Sequence, residues 1–290
     1  MASFSGPAHR LGATPAPTAT TCASADRQFG SMPSHATIGL VARSCDELVE
    51  EAARAPIVGW DFSWLDGRAT EERPTWGYSR MLAARAAVVS SLLDLQTGGG
   101  ELLSQLPHLP RLTAATEAWE PNVRRAARRL RQRGAWVVAA HEDSLPFGSA
   151  TFDLVASRHP VVTSWEEVAR VLRPGGRYLS QQIGPHSMRE LTEFFLGPQP
   201  VSSARAPETA RAKATAAGLR VDDLRGERLR AMFSDVGAVV YFLRLVIWTV
   251  PDFSVERYRD RLALMHREIE RNGSFVAHAT RFLVEAVKPG

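Results

Sequence analysis

One stretch constrains this chain more than any other. From Ala86 an apolar run reaches Ser91-Leu92-Leu93-Asp94-Leu95, passes through Gln96-Thr97, breaks into Gly98-Gly99-Gly100 and resumes as a helix-like pattern at Glu101. A strand that runs through glycines into a helix start aims free backbone N–H groups, and the positive end of the helix, at one spot. That is a cradle for a nucleotide-like ligand. A dinucleotide turn needs a further glycine three residues after the second, so that helix can pack on strand. Counted from Gly98 and Gly100, that position is Leu103, and the acid Asp94 precedes the glycines instead of following them. The dinucleotide reading therefore fails.

Four further patches follow in order. Leu112-Thr113-Ala114-Ala115-Thr116-Glu117 reads as a short strand ending on an acid. Glu117 lies about twenty residues past the loop, where a carboxylate can accept ribose hydroxyls. Ala135-Trp136-Val137-Val138-Ala139-Ala140 is a third strand and leads into His141-Glu142-Asp143-Ser144-Leu145-Pro146-Phe147. Then come Thr151-Phe152-Asp153-Leu154-Val155-Ala156-Ser157, and the run Glu167 to Leu172 followed by Arg173-Pro174-Gly175-Gly176-Arg177. Strands are expected over 88–94, 112–117, 135–140, 152–157 and 176–182, with a strand beginning at 219–221 and a closing strand over 274–287. Helices are expected over 40–56, 79–90, 101–106, 121–133, 164–172, 187–196, 208–217, 238–248 and 254–272. This alternation gives a mainly parallel sheet through right-handed crossovers.

The ordered set over about residues 86–182 resembles the class I S-adenosylmethionine (SAM) dependent methyltransferases. The resemblance implies an α/β fold, doubly wound and Rossmann-like, with a mainly parallel seven-stranded sheet whose last strand is antiparallel. It implies SAM as cofactor, bound outside the carboxyl ends of the strands. Carried over residue by residue, the cofactor site comprises Asp94, Gln96, Thr97, Gly98 and Gly100 of the loop, Glu117 on the ribose and Ser157 at the fourth strand. Glu142 or Asp143 takes the adenine amino group. Two positions depart from the pattern. Gln96 stands where the first glycine usually does; a side chain there calls for an ordinary backbone angle and a slightly different turn. His141 stands where an acid commonly closes the adenine loop.

Methyl transfer from a sulfonium needs mainly proximity and orientation, and a hydroxyl or ammonium acceptor also needs a base. His159, in Ser157-Arg158-His159-Pro160, is the first candidate base, since its ordinary pKa suits neutrality; the alternative is that it only shapes the pocket. His186 is the second. Arg158 is placed to meet an acidic acceptor, or else forms an ion pair. The segment from Gly59 to Arg80 is rich in aromatic residues. Trp60 and Trp76 are assigned to the acceptor, and Tyr78 to the donor, with core packing as the alternative. Tyr241 and Trp248 are expected to wall the acceptor pocket.

The 290 residues, 44% hydrophobic, suffice for one large α/β domain with additions. The expected organisation is a disordered tail over 1–36, an aromatic, helical lid segment over 37–85, and the SAM-binding domain over 86–290 with an acceptor-pocket insert at about 187–250. The tail is rich in Ala, Thr, Ser and Pro and lacks the apolar core of a secretory signal, and Met32 is an alternative start. No run is long enough to span a membrane. The two cysteines, Cys22 and Cys45, offer neither a metal spacing nor a disulfide framework, so no metal is expected and a cytoplasmic location is the simplest. Net charge is +4. The arginine run at 124–133 reads either as a nucleic-acid patch or as the solvated face of a helix with Val123, Ala127 and Leu130 inward. The lack of aromatic interleaving favours the second and argues against a nucleic-acid partner.

The expected activity is methylation of a small-molecule acceptor, aromatic or indole-like, of the natural-product kind in secondary metabolism, by a monomer or homodimer. An RNA methyltransferase and a non-catalytic SAM-binding protein are the alternatives. The first lacks the Asn/Asp-Pro-Pro-Tyr loop that grips exocyclic amines, since Ser-Arg-His-Pro stands there.

Overall fold

A computed structural model describes residues 43–57, 59–200 and 202–290. The expected tail over 1–36, with Cys22 and Met32, lies outside the described residues.

Eight strands form one sheet: β1 Ala69–Glu71, β2 Ser91–Leu95, β3 Leu112–Glu117, β4 Trp136–Ala139, β5 Phe152–Arg158, β6 Leu172–Ile183, β7 Arg220–Phe233 and β8 Phe275–Val287. Their order is β1-β7-β8-β6-β5-β2-β3-β4. Strands β4, β3, β2, β5 and β6 are parallel; β8 is antiparallel to both β6 and β7. The expected antiparallel closing strand is therefore present, and seven strands make the anticipated core. The eighth, β1, is an addition from the N-terminal segment, antiparallel to β7 with Ala69 opposite Phe233.

Nine α-helices are described: α1 Cys45–Arg54, α2 Tyr78–Ala86, α3 Glu101–Gln105, α4 Glu120–Leu130, α5 Trp165–Val171, α6 Arg189–Leu196, α7 Pro207–Ala216, α8 Val236–Leu245 and α9 Arg259–Asn272. Local chemistry sets their ends. Ser44 and Glu47 form a reciprocal capping box at the start of α1, and Asp235 caps α8 by accepting from the Ala238 amide. Helix α8 is apolar nearly all round. It is buried between α1, α9 and the sheet in a cluster with Leu48, Val49, Leu262 and Met265. No helix among the described residues is long and apolar enough to cross a membrane.

Two boundaries differ instructively. Val88, expected in β2, is 82% exposed in the turn before it. In α4 the inward stripe is Asn122, Ala126 and Leu130, not Val123 and Ala127. The shift by one places Ala126 and Leu130 against Gly100, where an added Cβ would lie 3.0 Å from Leu130 and 3.3 Å from the Ala126 backbone. Gly100 is thus the close-approach point that seats α4 on the glycine loop.

Candidate functional site

The carboxyl ends of β2, β3, β5 and β6 meet on one rim. Strain marks the same place. Among the described residues six non-glycines have positive φ: Gln96, Ala150, His159, His186, Met188 and Asp252. Gln96 and His159 stand directly after β2 and β5, and His186 and Met188 lie in the loop between β6 and α6. Left-handed backbone at non-glycine residues costs about 1–3 kcal/mol each and gathers where function over-determines geometry.

The loop after β2 is cross-braced. The Thr97 amide donates to the Thr116 carbonyl at 2.9 Å, and the Gly100 amide to the Thr97 carbonyl at 3.2 Å. The Thr97 hydroxyl donates to Asp94 Oδ2 at 2.7 Å. Across the rim, one Glu117 oxygen accepts from the Gly98 amide at 2.9 Å, and the other from the amides of Ala118 and Trp119 at 3.0 Å. From α4, Arg129 reaches the Gly99 carbonyl and Glu101. The arginine run therefore braces this loop, a use its charge pattern did not reveal.

Gln96 corrects the expectation of an ordinary angle: it adopts φ 53°. Its side chain repays the strain. Its Oε1 accepts from the Val161 amide at 2.7 Å and its Nε2 donates to the Val162 carbonyl at 2.6 Å. The missing glycine has thus become a clamp on the loop after β5. Gln96→Ala should destabilise the protein more than Gln96→Gly, by about 1 kcal/mol, because glycine loses the clamp but relieves the strain. Thermal unfolding of both variants checks this; equal losses would show that the angle costs nothing.

Asp94 is buried, 2% exposed. Burial pushes its carboxyl up to about 7; the Thr97 hydrogen bond and the Arg158 charge oppose this only in part. The folded state thus holds this proton more tightly than the unfolded chain, where an aspartate titrates near about 4. Its contribution to stability is full below about pH 4 and is lost as pH rises through about 7. Asp94→Asn should therefore raise the unfolding free energy at pH 8, with an upper bound of about 4 kcal/mol, and leave it nearly unchanged at pH 4. Denaturant titrations at both pH values decide; an equal effect at both would refute the buried proton.

Other assigned residues fall in different places. Tyr78, expected at the donor, is buried at the start of α2. Its hydroxyl is held by the backbone carbonyls of Ser157 and Leu179 at 2.9 and 3.1 Å. Ser157 is fully buried, its hydroxyl within 2.8 Å of those of Tyr178 and Ser180. Both residues support the rim from behind. Tyr241 is 2% exposed, stacked on Trp64 at 4.7 Å. Its hydroxyl donates to the Asp61 carbonyl at 3.1 Å. It fastens the segment before β1. Trp76 is also buried, its indole N–H given to Gln181. Glu142 is half-buried and Asp143 exposed in the turn after β4.

Trp60 is the assigned residue that meets the loop. A Cβ on Gly98 would point into open space and meet only Trp60 Cδ1, at 3.9 Å. On its other side Trp60 lies 5.5 Å, centroid to centroid, from Trp248. Trp248 lines a cavity of about 280 Å³ at the end of β6, with Ile183, Pro185, His186, Ser187, Arg189 and Thr249. The structure thus brings His186 and Trp248 together at one cavity and connects them to Gly98 through Trp60.

Residues 93–180 match the family model of the methyltransferase domain, and the strand order, glycine loop and acid at β3 agree with it. The chain carries a class I SAM-dependent methyltransferase domain. A Bacillus halodurans protein described as a methyltransferase superposes with a TM-score of 0.53 at 16% identity, covering 73% of this chain and 99% of its own. The YcgJ protein of Bacillus subtilis gives 0.50 at 16% identity, covering 73% and 98%. Both likenesses concern the fold. No curated protein matches the chain.

The residues of this methyltransferase fit SAM. Gly98 leaves space that a side chain would fill, Glu117 stands at the loop mouth, and the exposed face of Trp60 suits a sulfonium. When bound, SAM supplies an activated methyl group.

Proposed function

We propose that this enzyme methylates a small-molecule acceptor seated in the cavity at the end of β6. The observation that carries the reading is the Trp60–Trp248 pair, which runs from Gly98 of the donor loop to the cavity wall. A volume of about 280 Å³ is at the low end of small-ligand sites, about 300–1,000 Å³. It suits a single aromatic or indole-sized ring better than a polymer. Trp248 offers the ring a stacking face, and His186 and Ser187 offer polar contacts to its substituents.

In this reading Glu117 accepts the ribose hydroxyls, and Thr97 to Gly100 present backbone amides to the methionine end. Glu142 or Asp143 takes the adenine amino group. Asp94 shapes the loop through Thr97. Residues 59 to 62 lie over the loop as a lid, held by Tyr241 at the Asp61 carbonyl, while Arg244 donates to the Ala52 and Ala55 carbonyls of the helix end before it. The lid limits water at the reacting centre, so the protein's main contribution is orientation.

The test is calorimetric titration with S-adenosylhomocysteine, with NAD as control, followed by acceptor screening for released S-adenosylhomocysteine. Micromolar binding of S-adenosylhomocysteine alone is expected. Trp248→Ala should then cost acceptor affinity and leave donor affinity unchanged. No donor binding would overturn the reading and leave Gln96 as a plug in a loop that no longer binds.

A further inference from the structure

His159 follows β5 at φ 56° and is tied twice to one residue of β6. Its backbone amide donates to the Gln181 carbonyl at 2.7 Å, and its ring Nε2 lies 2.8 Å from Gln181 Nε2. The other end of the same amide is also occupied. Trp76 Nε1 donates to Gln181 Oε1 at 2.8 Å, a bond buried from solvent. Trp76 and Gln181 are 7% and 4% exposed, so water cannot substitute for either partner.

This chain of bonds has a direction. An indole N–H only donates, so the Gln181 oxygen must face Trp76 and its NH₂ must face His159. An amide NH₂ also only donates, so Nε2 of His159 must accept. It therefore carries no proton, and a neutral imidazole keeps its one proton on the other nitrogen. The assignment comes from the donor chemistry of tryptophan, the one member with no second orientation.

We infer that Trp76 and Gln181 are positioning residues that fix His159 as the neutral Nδ1–H tautomer, so that its Nε2 lone pair is held by the protein and is not a base. The inference rests on the proposed acceptor site for its function, though not for the tautomer itself. A base at this position would need a lone pair facing the acceptor, and the Nε2 lone pair is given to Gln181.

Long-range ¹H–¹⁵N correlation spectra of the uniformly labelled full chain read the tautomer directly, with His159→Asn used to assign the ring. At pH 7.5 the wild-type protein should show a protonated Nδ1 and a bare Nε2, without ligand and with S-adenosylhomocysteine. Gln181→Glu places an acceptor against both neighbours and should move the proton to Nε2. Trp76→Phe frees the amide to turn and should give a mixture of tautomers. A wild-type ring protonated on Nε2 would overturn the inference and restore His159 as a base through Nδ1. A folded Gln181→Glu protein that keeps the wild-type pattern would show that Gln181 does not set the tautomer. If either variant fails to fold, the wild-type spectrum alone still decides. Titration of the same sample with S-adenosylhomocysteine separates the two claims: an Nδ1–H ring without donor binding would refute the methyltransferase reading and leave the relay standing.

Discussion

Replacing Glu117 by alanine is expected to raise the dissociation constant for S-adenosylhomocysteine by about 100-fold or more. Two losses combine. The ribose hydroxyls lose a charged acceptor, and hydrogen bonds to charged groups contribute about 1.5–3 kcal/mol each. The loop also loses its brace, because the same carboxylate holds the amides of Gly98, Ala118 and Trp119. Glu117→Gln should fall between wild type and alanine, since an amide oxygen accepts on one side only. Calorimetry on the three proteins gives the order. Unchanged affinity in the alanine variant would mean that the acid at the end of β3 does not face the donor.

The second large effect concerns stability. Arg281 of β8 and Glu71 of β1 form an ion pair at 2.6 Å, their side chains 1% and 5% exposed. Burial pushes the Glu71 carboxyl up and the Arg281 guanidinium down, and in each case burial outweighs the attraction of the partner. Such a pair contributes little net stability, yet breaking it strands a buried charge. Arg281→Met should therefore cost about 3–5 kcal/mol. Glu71→Leu combined with Arg281→Met should recover most of that loss. Urea unfolding of the single and double variants measures the coupling; a double variant as unstable as the single would show that the pair itself stabilises the fold. The placement gives the pair a second role. It joins the N-terminal strand to the strand beyond β7, and Arg281 also donates to the Ser187 hydroxyl beside the cavity.

These residues show what a sequence can and cannot reveal here. The parallel core was legible because alternation, turns and glycines repeat in order from β2 to β6. Each signal is local, and the βαβ rule joins them. Glu117 was singled out by spacing along two adjacent strands, and the structure sets its carboxylate against the Gly98 amide of the loop. Strand β1 was not, since three residues carry no periodicity and their pairing with β7 is set 160 or so positions away. Tyr78 was assigned by type to the donor, and Tyr241 and Trp76 to the acceptor. What decided their places was a polar atom finding a partner on a distant strand or segment, as Tyr78 does on β5 and β6. Gln96 reversed its expectation for a related reason. Intrinsic preference opposes its backbone angle, and the two bonds that hold it come from residues 161 and 162. Gln181 gave no signal of this kind, and nothing in the sequence names Trp76 as its partner.

The position of β8 has a consequence for synthesis. It is the last strand along the chain, yet it sits between β6 and β7, paired with β7 from Arg220 to Phe233 and with β6 from Arg177 to Ile183. A ribosome that has delivered everything up to α9 has therefore released two long strands that have no partner for one another. Each has an open edge able to bind a second nascent chain. Strand β8 closes both at once, so the sheet should be completed only when β8 itself has emerged from the ribosome, and stalling just short of β8 should leave both edges open to aggregation.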